Sequence, residues 1–303
     1  MRALVTGATG YIGARLAQAL AESGVETRCL VRDRRRAGHL LDAGHEVREG
    51  DVLDPESLRG AGEGAGVSYF LIHSMGRGGD SSSDFAERER HAARNFARMA
   101  LADGVGRVVY LGGLGDERGS KHLRSRHETA EILAAEGPPL TYFRAAMVVG
   151  AGSESYRTLR YLVARLPVMI APAWLRTATQ PLGIDDVVAY LRDAPKIEES
   201  SGREVQIGGP NVLSYADMLG EMAGALGVRP RPMVPVPLLS PTLSSLWIGL
   251  VTPVDAGVAR PLIEGLSTRT VVTDPRAARL FDVEPAPFRQ TLERALAEER
   301  DSN

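Results

Sequence analysis

Short apolar runs alternate along the chain with stretches in which apolar residues return every three or four positions. "RALVT" (2–6) reads as a short buried strand, and 11–22 as an amphipathic helix closed by Ser23-Gly24. Strand-like runs follow at 25–31 ("VETRCLV"), more weakly at 46–52 ("EVREGDV"), and at 67–73 ("VSYFLIH"). Residues 84–104 carry strong helical periodicity, with Phe85, Ala92, Phe96 and Met99 on one face. A strand at 107–113, a helix at 125–137 and a strand at 140–150 complete the series. Strands alternating with helices at this spacing predict a parallel sheet covered on both faces.

After Gly150 the pattern loosens. "TQPLGIDDVVAYLRDA" offers an extended piece, then a helix that Asp185-Asp186 are expected to cap. "REVQIGG" is another strand, and "SYADMLGEMAGALG" a helix capped by Ser214. The stretch from Val228 to about Asp274 is apolar and rich in proline. The expected fold is α/β: a Rossmann-type doubly wound parallel sheet over residues 1–150. A smaller C-terminal lobe over 151–303 is partly interleaved with it.

Gly7, Gly10 and Gly13 fall three apart in "LVTGATGYIGARL", between the first strand and the first helix. At such a junction the first glycine permits a tight turn and the second lets backbone approach a pyrophosphate. The third lets the helix pack close to the strand, with its N-terminus facing the phosphates. The G-x-x-G-x-x-G spacing is one residue longer than the dehydrogenase fingerprint, but its strand-to-helix setting is the required one.

"TGATGYIG", "GDVLDPESL", "VVYLGGLG", "PLGIDDVVAYL" and "GREVQIGGPNVLSYADML" together resemble the extended and atypical short-chain dehydrogenase/reductases, nearest their NmrA-like branch. The resemblance runs over nearly the whole chain, in family order. It implies a nicotinamide dinucleotide held by the Rossmann domain and a C-terminal substrate lobe. Gly7, Ala8, Thr9, Gly10, Tyr11, Ile12 and Gly13 would then hold the pyrophosphate. Asp51 and Val52 would meet the adenine, and Ile72 and His73 would lie beside the ribose and nicotinamide.

The choice of dinucleotide turns on the end of the second strand. An acid there suits the ribose hydroxyls of NAD, and an arginine suits the 2′-phosphate of NADP. Val31 occupies the acid position, Arg32 follows at once, and Asp33 comes one or two residues late. Arg28, Arg34, Arg35 and Arg36 add positive charge around the same tip. A solvated surface cluster would look similar; the phosphate reading favours NADP(H) over NAD(H).

The family's chemistry uses a serine or threonine after the fifth strand and a tyrosine four residues before a lysine. Here Gly112 and Gly113 stand at the hydroxyl position, and Gly112 falls within the implied cofactor site. His122 stands at the tyrosine position and Arg126 at the lysine position. Two readings stay open. His122 is a proton donor while Arg126 anchors the nicotinamide ribose, or both are structural and the fold binds without reacting. His73 is a second candidate donor, and His127 is expected to face away. Arg144 reads equally as structural or as facing the substrate. The six histidines show no metal-ligand spacing.

Composition narrows the partners. A formal net charge of −2 gives no electrostatic case for nucleic acid. One cysteine, Cys29, excludes a disulfide framework and fits a reducing cytoplasm. The start of the chain shows no leader pattern, so a cytoplasmic protein is expected. Residues 234–254 are the most apolar, but prolines break them too often for a membrane span. With 156–174, they could line a pocket for an apolar small molecule, fill the lobe's own core, or form a homodimer face. The leading expectation is an NADP(H)-dependent oxidoreductase acting on a carbonyl or activated double bond of an apolar small molecule. The alternatives are a non-catalytic NADP(H)-binding sensor and a sugar-nucleotide epimerase.

Overall fold

Seven parallel strands form the sheet: β1 (Arg2–Thr6), β2 (Glu26–Val31), β3 (Glu46–Glu49), β4 (Ala65–Phe70), β5 (Arg107–Gly113), β6 (Leu140–Ala145) and β7 (Arg203–Ile207). The computed structural model describes residues 1–72, 82–116, 120–236 and 266–301. The spatial order is β7-β6-β5-β4-β1-β2-β3, so the chain reverses direction between β1 and β4. In open parallel sheets, ligands bind outside the carboxyl ends of the strands at such a reversal.

Each face of the sheet is covered by helices whose apolar stripe matches it. Leu16, Ala17 and Leu20 of α1 (Tyr11–Glu22) share a core with Val187, Tyr190 and Leu191 of α5 (Ile184–Asp193). On the other face, α2 (Ser82–Ala102) contributes Ala92, Phe96 and Met99. Ala130 and Leu133 come from α3 (Lys121–Glu136). Of the stripe expected on α2, the side chain of Phe85 lies outside the described residues. A third core joins α4 (Glu154–Arg165), α6 (Tyr215–Ala225) and α7 (Phe288–Asp301). Tyr156, Leu159, Leu162 and Val163 all point into it. Within 156–174, these four residues therefore fill the lobe's own core. Among the described residues no helix is long and apolar enough to cross a membrane.

Several boundaries differ from the sequence pattern, each for a local reason. β3 stops at Glu49, because the Ser57 hydroxyl folds the following segment into a loop. The Asp51 amide donates to Ser57 Oγ at 2.9 Å, and that hydroxyl donates to the Asp54 carbonyl at 2.8 Å. α3 begins at Lys121, four residues earlier than expected, because Ser120 Oγ accepts from the Leu123 amide at 3.1 Å. Gly183 is the N-cap of α5, and Asp185 and Asp186 lie in its first turn, with the Asp186 carboxylate turned back to the Gly183 backbone. Asp186 also accepts from the Ala286 amide at 3.1 Å, and burial pushes its carboxyl up. Ser214 does cap α6, reciprocally with Asp217. Gly24, at φ +76°, turns the chain out of α1 as expected.

Candidate functional site

The carboxyl ends of β1 and β4 are tied together before the glycine turn begins. Thr6 Oγ1 donates to the Tyr69 carbonyl at 2.9 Å and accepts from the Leu71 amide at 3.2 Å. Gly7 follows at φ +68°, and a Cβ there would lie 2.7 Å from the Leu71 carbonyl oxygen. Gly10 closes the turn, its amide donating to the Gly7 carbonyl at 2.9 Å. A Cβ on Gly13 would run into that same carbonyl. Only glycine fits positions 7 and 13, one because of conformation and contact, the other because of contact alone.

Gly10 is the N-cap of α1 and has no side chain to cap it, and no acid lies in the first turn. The amides of that turn face outward, with the positive end of the helix behind them. Ala8 is buried, Thr9 and Gly10 are exposed, and Tyr11 and Ile12 are half-buried. The Arg15 guanidinium lies 4.9 Å from the Tyr11 ring centroid, and burial raises the phenol's pKa. This cradle suits a pyrophosphate.

At the end of β2 the charged neighbours separate. Arg32 is exposed, and no hydrogen bond or ion pair holds its side chain among the described residues. Asp33 is engaged by Arg35, whose Nε and Nη2 donate to its two oxygens at 3.0 Å each. Those bonds, with one from the Arg35 amide, hold the Asp33 carboxyl below its usual range. Arg34 turns back to the Val47 carbonyl at 2.8 Å. Arg28 is not part of the tip. Its guanidinium is buried against Glu46 at 2.7 Å and donates to the Ala61 and Glu63 carbonyls. Asp51 accepts from the Leu53 amide at 2.9 Å, which shapes the loop after β3. The Val52 side chain is buried, and its carbonyl accepts from Asn95 Nδ2 at 2.9 Å.

Beyond β4, Ile72 is half-buried against the α2–α3 core, and His73 lies outside the described residues. At the end of β5, a Cβ on Gly112 would sit 2.7 Å from Tyr142 Cε2. One on Gly113 would sit 2.6 Å from Leu123 Cδ2. Neither position has room for a serine or threonine unless its neighbour moves.

His122 and Arg126 both lie in α3, four residues apart and so on one face, where a loop had been expected to hold His122. Arg126 Nη2 donates to the Leu111 carbonyl at 2.5 Å, and its guanidinium lies 5.0 Å from the Tyr110 ring centroid. This aims Arg126 at the carboxyl end of β5. His127, expected to face away, is buried edge-on against Tyr142 at 5.9 Å. Arg144 donates to Glu204 at 2.8 Å, to the Gly113 carbonyl at 3.4 Å, and to the Gly115 carbonyl. Its bonds are structural and hold the loop after β5. Two residues escaped the sequence reading: Thr6, which joins β1 to β4, and Tyr142, which fills the space above Gly112. For the second no signal lay in the sequence alone, since Tyr142 stands opposite Tyr110 and reaches Gly112 diagonally across the strands.

The description of the family model that matches residues 1–173 is the NmrA-like family. The photosystem II assembly factor Ycf39 of Cyanophora paradoxa is 28% identical over 48% of this chain, an alignment spanning only 44% of that protein. The mitochondrial NADH dehydrogenase [ubiquinone] 1 alpha subcomplex subunit 9 of Arabidopsis thaliana is 26% identical, over 95% of this chain and 74% of its own. The fold is that of the Citrobacter sp. triphenylmethane reductase solved with NADP(H). The TM-score is 0.75 at 18% identity, over 97% of this chain and 100% of that one. The glycine turn between β1 and α1, at the reversal of the sheet, lies inside the matched residues, which make up more than half of the chain. The chain belongs to the NmrA-like family.

Proposed function

We propose that this protein is an NADP(H)-dependent oxidoreductase acting on a carbonyl or activated double bond of an apolar small molecule. The observation that carries the cofactor reading is the pair at the end of β2. Arg32 is exposed beside the ribose position, while Arg35 occupies the acid that would favour NAD. The glycine cradle and the first turn of α1 would hold the pyrophosphate. The nicotinamide, when bound, supplies or accepts the hydride.

His122 and Arg126 take up the tasks left by the family's missing tyrosine and lysine. Four residues apart on one helical face, they keep the spacing of that pair. His122 would donate a proton to the acceptor's oxygen or carbon, and Arg126 would hold the ribose end. The neighbour solved with NADP(H) is a reductase of triphenylmethane dyes, which supports an aromatic small-molecule acceptor on this fold.

The glycines at 112 and 113 favour a second reading, a protein that binds NADP(H) as a sensor without turnover. A sugar-nucleotide epimerase fits less well, because that branch works through the Tyr-x-x-x-Lys pair, which His122 and Arg126 replace here. The deciding experiment titrates NADPH, then follows loss of its absorbance with a panel of quinones, enones and ketones. Reduction of any member supports the enzyme; tight binding with no reduction across the panel moves the sensor ahead.

A further inference from the structure

Glu89 of α2 is 5% exposed, in an interface where the apolar stripes of α2 and α3 already meet. Its carboxylate accepts from Ser125 Oγ of α3 at 2.5 Å, and Ser125 is 4% exposed. The same helices are also tied along their exposed edge, Arg90 to Glu128 at 3.0 Å and Arg94 to Glu136 at 3.3 Å. Docking therefore does not need an acid in the core, where a carboxylate costs more than an apolar side chain of similar volume.

What the buried bond fixes is the turn of α3 that carries Arg126. Ser125 directly precedes Arg126, which is held at three further points. Its carbonyl accepts from Tyr110 Oη at 3.3 Å, its guanidinium lies over the same ring, and its Nη2 donates to the Leu111 carbonyl. Burial pushes the Tyr110 phenol up to about 12; Arg126 draws it down and Glu89 adds to the rise, so both charges stand near one ring. Arg126 and His122, unlike Glu89 and Ser125, are only half-buried, so a ligand can meet them. An apolar stripe lets a helix roll slightly about its axis; a buried, directional hydrogen bond does not.

We propose that Glu89 is a positioning residue: through Ser125 it fixes the roll of α3, so that Arg126 is presented to the nicotinamide ribose of NADP(H). The inference rests on the reading that this chain binds NADP(H) and that Arg126 holds the ribose.

The test is a cycle in the full chain: Ser125→Ala, Arg126→Ala and the two together. Each is titrated with NADPH and with 2′,5′-ADP, which carries only the adenosine end. Ser125→Ala should weaken NADPH about three- to tenfold, within the worth of the hydrogen bond that is lost, and leave 2′,5′-ADP affinity unchanged. In the Arg126→Ala background the same change should cost NADPH nothing further, because the group being positioned is gone. Unchanged NADPH affinity in Ser125→Ala, equal loss for both probes, or losses that add across the cycle each overturn the proposal. The last would show that the bond only holds two helices together. Should Ser125→Ala fail to fold with its carboxylate left alone, Glu89→Leu combined with Ser125→Ala replaces the bond by apolar surface. That pair should give the same selective, non-additive loss, and any other pattern overturns the proposal there too. A parent that binds neither probe instead defeats the NADP(H) reading itself. Parent-like NADPH affinity in Arg126→Ala defeats the ribose role, and the proposal with it.

Discussion

Arg32 and Asp33 adjoin in sequence and part company in space. The carboxylate is tied to Arg35, so the charge left at the end of β2 is positive. Arg32→Glu should therefore weaken NADPH about tenfold or more and remove its advantage over NADH. That is the loss expected when a charge-assisted bond to phosphate, about 1.5–3 kcal/mol, is broken. Calorimetric titration of both cofactors checks it, and equal parent affinities would defeat the assignment. His122→Ala should lower turnover by about 10²–10⁴ with NADPH affinity nearly intact. Arg126→Ala should instead weaken NADPH. Full activity in His122→Ala would end the proton-donor role. Residue-level legibility followed the kind of constraint. Gly7 and Gly13 were readable because their limit is set by backbone that the motif itself supplies. Arg28 was misplaced because adjacency to a strand tip does not say which way a strand residue's side chain runs. Tyr142 was invisible because its meaning depends on register, Tyr110 opposite Tyr142 and Gly112 opposite Arg144.

Elements with long apolar stripes were legible; their ends were settled by single hydroxyls. The periodicity of α3 begins with buried residues, but its first turn is polar, and the Ser120 cap carries the helix back to Lys121. That extra turn puts His122 and Arg126 on one face. β3 ends early for the converse reason, the Ser57 hydroxyl drawing in the Asp51 amide where alternation alone would continue the strand. The α6 capping box allows a measurement at this scale. Ser214 Oγ accepts from the Asp217 amide at 3.1 Å, and the Asp217 carboxylate accepts from the Ser214 amide at 2.9 Å. Ser214→Ala should cost about 0.5–2 kcal/mol in urea unfolding. The Ser214 hydroxyl and amide hold the Asp217 carboxyl below its ordinary value of 3.8. Its stabilising contribution is therefore fully present above 3.8 and is lost as pH falls through the lower folded value. Asp217→Asn should be less stable than the parent at neutral pH by a small amount, since the site is exposed. The gap should close on acidification; one that is the same at neutral and acid pH would show that charge plays no part.

At the scale of the whole molecule, the two halves of the chain share one sheet. Loosening of the pattern at Gly150 suggested a boundary there; "REVQIGG" reads as a strand, but local periodicity does not say that it returns to pair with β6. β7 pairs with β6 along its full length, from Arg203 opposite Thr141 to Ile207 opposite Ala145. Buried polar groups of the first half also find their partners in the second. Tyr69 Oη donates to the Leu191 carbonyl at 3.2 Å, and Thr141 Oγ1 to the Ser200 carbonyl at 3.0 Å. Arg107, 6% exposed, donates to the Ala194 and Ile197 carbonyls at 2.8 and 3.0 Å. Phe281 closes the same core, 5.5 Å from Phe143 and 5.4 Å from Tyr190. A chain cut after Gly150 would expose the edge of β6, strip the α5 side of the sheet, and leave the Arg107 guanidinium in place without its acceptors. Uncovering the apolar surface that packs against Val187, Tyr190, Leu191 and Phe281 costs about 1.5–3 kcal/mol per large side chain exposed, against a total stability of about 5–15 kcal/mol for a typical domain. Residues 1–150 alone should therefore show no cooperative urea transition by circular dichroism, while the full chain unfolds in a sharp one. A cooperative transition in the fragment would make the first half a self-sufficient domain and the second a dispensable addition to its sheet.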